Sequence, residues 1–285
     1  MASNLMGAGY DLVLHNRTKE KAEKLAAEVG GEVAQNPREV AEKCDVVITM
    51  VPGPTEVEAV VSGGDGLLEG VRKGSLVIDM STSSPTLARK LARTAREREA
   101  SMLDAPVSGG DVSAIEGTLS IMVGGEVKDF ERARPLFEAM GNTITHVGPD
   151  GTGQVVKAAN QIVVALVMEA VSEALVLGSK AGVDSEKLLD ILSGGLAGNR
   201  VMEVKRVKYL SRHFEPGGQV KYHHKDLGIA LAAGREYGVA LPATAVVDQM
   251  FGTLVARGRS DWDHSALVTL VEDWSAEMPR ERFGG

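Results

Sequence analysis

The sequence predicts two domains of different class, an α/β domain over residues 1–148 and an all-α domain over residues 149–285. Three observations predict it. Between Asp11 and Val147 short apolar runs alternate with amphipathic segments, the pattern of a parallel sheet covered by helices. The run Gly148-Pro149-Asp150-Gly151-Thr152-Gly153 then breaks that rhythm. From Gln154 to Ala181 there is no proline and one glycine, with apolar residues nearly all round, as in a long buried helix.

The elements follow in order. Leu12-Val13-Leu14 reads as a strand and Lys19–Val29 as a helix. Val46–Met50, Leu76–Met80, Met102–Asp104 and Leu119–Val123 read as further strands, with a helix over Thr86–Glu99. After the long helix, helices are expected over Asp184–Leu192, around Val201–Leu210, over Tyr222–Tyr237 and over Ala243–Arg257. No internal repeat or low-complexity tract interrupts them.

Composition narrows the function classes. A net charge of −8 and an aromatic content of 4% argue against nucleic-acid binding, which favours basic stripes and stacking platforms. The lone Cys44 offers neither an internal disulfide nor a cysteine metal cluster. His223 and His224 are adjacent on a helix and point roughly 100° apart, so no metal site is expected. No signal peptide is read at the start, and the apolar run Ile162–Met168 is too short to span a bilayer. A soluble, cytoplasmic protein without membrane partners is expected.

Strand ends carry the candidate chemistry, because ligands of open α/β sheets sit beyond the carboxyl ends of the strands. A Rossmann-like domain would begin with a strand running into Gly-x-Gly-x-x-Gly. This chain has no such motif. Gly7 and Gly9 follow a helical segment and precede a strand, the reverse of what that fingerprint needs. The first strand and Gly-rich loop are therefore expected to be missing.

Four blocks resemble the β-hydroxyacid dehydrogenase family, related to 3-hydroxyisobutyrate dehydrogenase. They are Asp104-Ala105-Pro106-Val107-Ser108-Gly109-Gly110, Gly151-Thr152-Gly153-Gln154-Val155-Val156-Lys157-Ala158-Ala159-Asn160, Lys225-Asp226-Leu227 and Asp263-His264-Ser265-Ala266-Leu267. Within the family, the last block and Gly194-Gly195-Leu196-Ala197-Gly198 look most like the semialdehyde reductases acting on 2-hydroxy-3-oxopropionate. Members acting on 3-hydroxyisobutyrate, glyoxylate or succinic semialdehyde are the alternatives. In that family a Gly-rich loop runs straight into a helix ending like Met-Ala-Ser-Asn-Leu, so the chain is expected to begin at an internal methionine. That absence also keeps open a non-catalytic oligomeric or regulatory protein. A 6-phosphogluconate dehydrogenase would need a longer helical domain.

The resemblance assigns Lys157 the catalytic role. A lone lysine there could equally snorkel to solvent, but Asn160 and Gln161 at i+3 and i+4 share its face. An ammonium supplies the proton and the positive charge that an alkoxide left by hydride transfer needs. Asn160 matches the family's helper amide, with Gln161 the alternative one residue on; either would orient Lys157 or bind a substrate carboxylate. Ser108, Gly109 and Gly110 present a hydroxyl and two backbone N–H groups suited to a carboxylate, as a plain turn also would. Asn16, Arg17 and Thr18 close the strand Leu12–Leu14. With no acid there to bind a ribose 2′-hydroxyl, Arg17 favours NADP, with NAD possible, while Thr18 reads as a helix N-cap.

By resemblance alone, Val51, Pro52 and Thr82 contact the nicotinamide and its ribose. Lys225 then contacts cofactor or substrate, steadied by Asp226. Relatives carry an aromatic residue after Pro-Gly at the approach to this helix, whereas this chain has Gly218, leaving a roomier pocket or one filled by another side chain. The apolar long helix predicts a homo-oligomer, dimer or tetramer, formed through the helical domain.

Overall fold

Two separate parallel edges face a gap at the front of the sheet, and the rest of the α/β unit is built beyond it. A computed structural model describes residues 1–277, which divide into two compact units, Met1–Ala158 and Ala159 onward. The first unit runs α1 (Ala2–Gly7), β1 (Val13–Leu14), α2 (Lys19–Val29), β2 (Glu32–Val33), α3 (Pro37–Lys43), β3 (Val46–Thr49) and α4 (Pro54–Ser62). It continues through β4 (Leu76–Asp79), α5 (Pro85–Glu97), β5 (Ser101–Asp104), β6 (Val107–Ser108), α6 (Gly110–Glu116), β7 (Leu119–Gly124), α7 (Val127–Glu138) and β8 (Gly141–Gly148) to the start of α8 (Thr152–Lys180). Local chemistry sets the helix starts. Asn36 and Ser84 each accept the N–H three residues on, and Pro37 and Pro85 follow them with a preset φ.

The strands β3, β4 and β5 pair in parallel, as the apolar runs predict. Register sorts their side chains between two cores. Val47, Val77 and Met102 face α3, α4 and α5, while Leu76, Ile78 and Leu103 face Phe130 and Phe137 of α7. The expectation of an all-parallel sheet is corrected beyond β5. There the chain turns at Ala105-Pro106, and β7 runs antiparallel to both β5 and β6, with β8 parallel to β7 at its far side. The alternation Asn142-Thr143-Ile144-Thr145-His146-Val147 is the period-two signal of that outer strand.

β1 and β2 form a sheet of their own. Among the described residues no strand lies between β1 and β3, and a cavity of about 650 Å³ lined by Leu12, Val13, Val46 and Ile48 occupies that position. Gly9 takes φ +90° just after α1, where the N–H of Tyr10 reaches back to the Leu5 carbonyl, so these glycines end a helix.

The second unit holds the remainder of α8 and α9 (Ser185–Gly194), α10 (Arg200–Ser211), α11 (Val220–Tyr237), α12 (Pro242–Ala256) and α13 (Leu267–Glu277). By length and composition α8 would pass for a membrane span, with a mean hydropathy of 2.0 over 18 residues. The run Ile162–Met168 read by itself does not reveal this. Its Ala165 and Met168 pack with Phe251 and Leu254, and its Val171 and Leu175 with Leu189 and Tyr209, as in a core helix. Buried Lys205 pairs with Asp263 at 2.8 Å, and Asp263 also accepts the N–H and O–H of Ser265. These bonds fix the 3-10 turn His264–Ala266.

The compact units divide after Ala158, ten residues past the position where the sequence changes rhythm. The first turns of α8 are anchored to β5, as described below, and so stay with the sheet.

Candidate active site

Asn16, Arg17, Thr18, Val51 and Pro52 line one cavity of about 450 Å³ at the carboxyl ends of β1 and β3. The Asn16 side chain accepts the Thr18 N–H at 2.9 Å, which shapes the turn and leaves Arg17 exposed. Thr18 sits at the N-cap of α2 without a side-chain capping bond, so it is a cap by position only. A cavity lined by both apolar side chains and an exposed guanidinium fits a dinucleotide with an anionic group beside Arg17.

A buried polar network holds the neighbouring strand ends. Thr49 Oγ1 donates to Asp79 Oδ1 at 2.8 Å, the Ser81 N–H donates to the same oxygen at 3.1 Å, and the Val51 N–H donates to Ser81 Oγ at 2.9 Å. Thr82 follows directly. Gln154, 1% exposed, donates its amide to the Ser81 carbonyl and accepts the Ser83 N–H, both at 2.9 Å. The first turn of α8 is thereby bolted to the loop that carries Thr82.

Asp104 supplies the second bolt. Its carboxylate accepts the Gly151 N–H at 2.7 Å and the Gln154 N–H at 2.9 Å, a negative charge at the amino end of α8. Burial pushes its pKa up to about 6, against the opposing pull of those N–H groups. Glycine is required where the helix meets the sheet: a Cβ on Gly153 would stand 2.5 Å from the carbonyl oxygens of Asp104 and Met122. Lys157 lies one turn further along α8 and is buried, at 7% exposure. Its position is thus dictated by Asp104, Gly153 and Gln154.

Ser108, Gly109 and Gly110 form a turn of their own between β6 and α6. Gly109 and Gly110 take φ of +132° and +69° and are exposed, and a Cβ on Gly109 would strike Ser113 at 2.5 Å. Ser108 beside them is half-buried.

In the second unit, Asn160 donates to Gln161 Oε1 at 2.9 Å, and Gln161 donates to Asp226 Oδ2 at 2.7 Å. Lys225 pairs with Asp226 at 2.9 Å. The four polar residues read from the sequence in this region therefore form one network, with Gln161 at its centre and Asn160 at its edge. His224 turns away to Asp248 at 2.9 Å while His223 packs on Phe251, so the adjacent histidines have separate partners. Among the described residues no group of three or more His, Cys, Asp or Glu is arranged to hold a metal ion. The space beside Gly218 is filled by His264, whose ring atoms Cε1 and Nε2 would stand 3.0 Å from a Cβ there.

Sequence reasoning missed Asp79, Ser81, Asp104 and Gln154 as positioning groups. A signal existed: Asp79 lies within and Asp104 at the end of apolar strand runs, and Gln154 opens an otherwise apolar helix.

Comparisons with known proteins identify the family. Residues 1–148 match the model of the NAD-binding domain of 6-phosphogluconate dehydrogenase, and residues 151–271 match that of the NAD-binding domain of NADP-dependent 3-hydroxyisobutyrate dehydrogenase. A 2-hydroxy-3-oxopropionate reductase of Escherichia coli is 44% identical over 95% of this chain and 92% of its own length. The chain belongs to the β-hydroxyacid dehydrogenase family. As a member of that family it is an NAD(P)-dependent oxidoreductase acting on small molecules. An NAD-dependent L-serine dehydrogenase of Pseudomonas aeruginosa is 38% identical over 95% of this chain and 93% of its own. A 3-hydroxyisobutyrate dehydrogenase of Mycobacterium tuberculosis, solved with L-serine, superposes with a TM-score of 0.86 at 32% identity, covering 95% of this dehydrogenase and 94% of that chain.

Proposed function

We propose that this dehydrogenase reduces a small carboxylate-bearing semialdehyde, 2-hydroxy-3-oxopropionate first among them, to the hydroxy acid, with NADPH preferred over NADH. The observation that carries the reading is the placement of Lys157, buried on a helix whose start is locked by Asp104 to β5 and by Gln154 to the loop bearing Thr82. The 44% identity to a 2-hydroxy-3-oxopropionate reductase supports the choice of substrate.

A nicotinamide dinucleotide held by Asn16, Arg17, Thr18, Val51 and Pro52 of the cavity lining, and by Thr82, would supply the hydride for the aldehyde carbon. As the new C–H bond forms, the carbonyl electron pair moves onto oxygen. The Lys157 ammonium stabilises that growing charge and donates its proton to the oxygen, completing the alcohol. Ser108, Gly109 and Gly110 hold the substrate carboxylate through the hydroxyl and the exposed N–H groups. Asn160 and Gln161 fix the polar face of α8 that follows Lys157. Asp226 pairs with Lys225 and so restrains the side chain assigned to cofactor or substrate contact. Arg17, beside Asn16 and Thr18, pairs with a 2′-phosphate, and Val51, Pro52 and Thr82 shape the wall against which the nicotinamide end rests.

Initial rates with 2-hydroxy-3-oxopropionate, methylmalonate semialdehyde, succinate semialdehyde and glyoxylate, each with NADPH and NADH, test the reading. The highest kcat/KM is expected for 2-hydroxy-3-oxopropionate with NADPH. A preference for succinate semialdehyde or glyoxylate would show the substrate to be wrong.

A further inference from the structure

His15, Asn16 and Arg17 border two cavities at once. One is the cavity of about 450 Å³ at the β1 and β3 ends, and the other, of about 330 Å³, lies beside Ala22 of α2 and Val33 of β2. His15 leaves β1 two residues ahead of Arg17, and in an extended chain that spacing puts both side chains on the same side. The Asn16 side chain between them is engaged by the Thr18 N–H. Among the described residues the half-buried His15 ring has no hydrogen-bond or ion-pair partner, so folding does not use its nitrogens. Burial pushes its pKa down from the ordinary imidazole value, which leaves the ring neutral at pH 7. The charge around it is mostly positive. Arg17 and Lys19 line the smaller cavity and Arg17 and Lys21 the larger, with Lys19 also paired to Glu23 at 3.1 Å. Glu56 of α4 is the one carboxylate in either lining, and no other lining residue is charged. Glu39 of α3, behind Gln35, is engaged by the Gln35 N–H and by Lys43. The amino end of α2 also opens here without a side-chain cap, an end that favours an anion.

We infer that His15 reads the 2′-phosphate of the cofactor together with Arg17, so that the preference for NADPH over NADH strengthens as pH falls and the imidazole takes up a proton. This rests on the reading of Arg17 as the partner of that phosphate. A phosphate dianion alongside the ring offsets the cost of burying its charge. The imidazolium then donates a charge-assisted hydrogen bond to a phosphate oxygen. NADH brings only a 2′-hydroxyl to that position, which holds no proton on the ring.

Dissociation constants of NADPH and of NADH, measured by fluorescence titration at pH 6 and pH 8, give the preference at each pH. The 2′-phosphate itself begins to lose charge near about pH 6. Wild type is therefore compared with His15→Gln, which keeps a polar side chain that does not titrate and shares that loss. From pH 8 to pH 6 the wild-type preference, relative to that of His15→Gln, is expected to rise about fivefold or more, part of what a fully formed charge-assisted bond gives. His15→Lys, cationic at both pH values, should carry the raised preference at pH 8 as well. A relative preference that is the same at pH 6 and pH 8, in protein whose preference Arg17→Ala abolishes, overturns the inference and leaves the NADPH reading standing. Wild type that prefers NADH, or a preference that Arg17→Ala leaves unchanged, overturns that reading as well.

Discussion

Gln154 reaches from the first turn of α8 to the Ser81 carbonyl at 2.9 Å, and the same side chain accepts the Ser83 N–H. One buried amide thus sets the distance between the helix that carries Lys157 and the loop that carries Thr82. Replacing it should displace two functional elements at once. Gln154→Ala is expected to lower kcat/KM by about tenfold or more, since small misplacements of reacting groups are costly, while also destabilising the fold by about 1–3 kcal/mol through the groups left unpaired. Steady-state kinetics with thermal unfolding measures both; intact activity in a destabilised protein would mean that Gln154 serves stability alone.

Asp104 gives a pH signature. Burial pushes its pKa up to about 6, well above the ordinary carboxylate range, so the folded state holds this proton more tightly than the unfolded chain. Between about pH 4 and 6 the folded state therefore binds more protons, and its contribution to stability falls as pH rises through that window. The shift corresponds to about 3 kcal/mol in all. The stability difference between wild type and Asp104→Asn, from denaturant unfolding at a series of pH values, should fall in the wild type's disfavour across that window. A difference independent of pH from 4 to 7 would remove Asp104 as the source.

Arg17 stands exposed in the lining of the cavity at the β1 and β3 ends. Arg17→Ala is expected to weaken NADPH binding by roughly tenfold to a hundredfold, the range of a charge-assisted hydrogen bond, and to leave NADH nearly unchanged. Cofactor titration by fluorescence separates the two. Equal losses would show that Arg17 does not read a phosphate.

The isolated pair β1–β2 predicts uneven stability. Two strands alone are marginal in water, and this pair is separated from β3 by the cavity at Leu12, Val13, Val46 and Ile48. Hydrogen exchange should find the Glu32 and Ala34 amides far less protected than those of Ile78 and Leu103. Equal protection would show that the front of the sheet is held in another way.

On α8, Val156, Val163 and Leu177 are exposed at 37%, 61% and 74% and fall at multiples of seven residues. Such a stripe suits a helix of a second copy. Light scattering at micromolar concentration should give a dimer or larger, and Leu177→Glu with Val163→Glu should shift it toward monomer. A wild-type monomer would contradict the oligomeric reading.

The sequence made the strands β3 to β5 legible because β4 and β5 are almost wholly buried, and β3, with one face half-buried, still reads as an unbroken apolar run. It hid β6, which is only two residues long, and with it the antiparallel turn after Pro106, while β8 left only the weak alternation of a half-exposed strand. The residues proposed for the cofactor were legible as candidates because they follow recognisable strand ends. Positioning groups were not, because Asp104 and Gln154 act on backbone N–H and carbonyl groups far away in the chain, which no local pattern records. The filling of the Gly218 space by His264 was hidden for the same reason, the two being joined through space by an N–H to carbonyl bond of 2.7 Å.

Lys157 carries the central claim, and its removal is the most direct measurement. Single-turnover reduction of 2-hydroxy-3-oxopropionate by Lys157→Ala, with NADPH binding measured on the same protein, isolates the chemical step. The rate should fall by roughly 10²–10⁴-fold or more, the cost of losing a general acid, while NADPH affinity stays within about threefold. A rate above a tenth of wild type, with the cofactor bound normally, would contradict Lys157 as the proton donor.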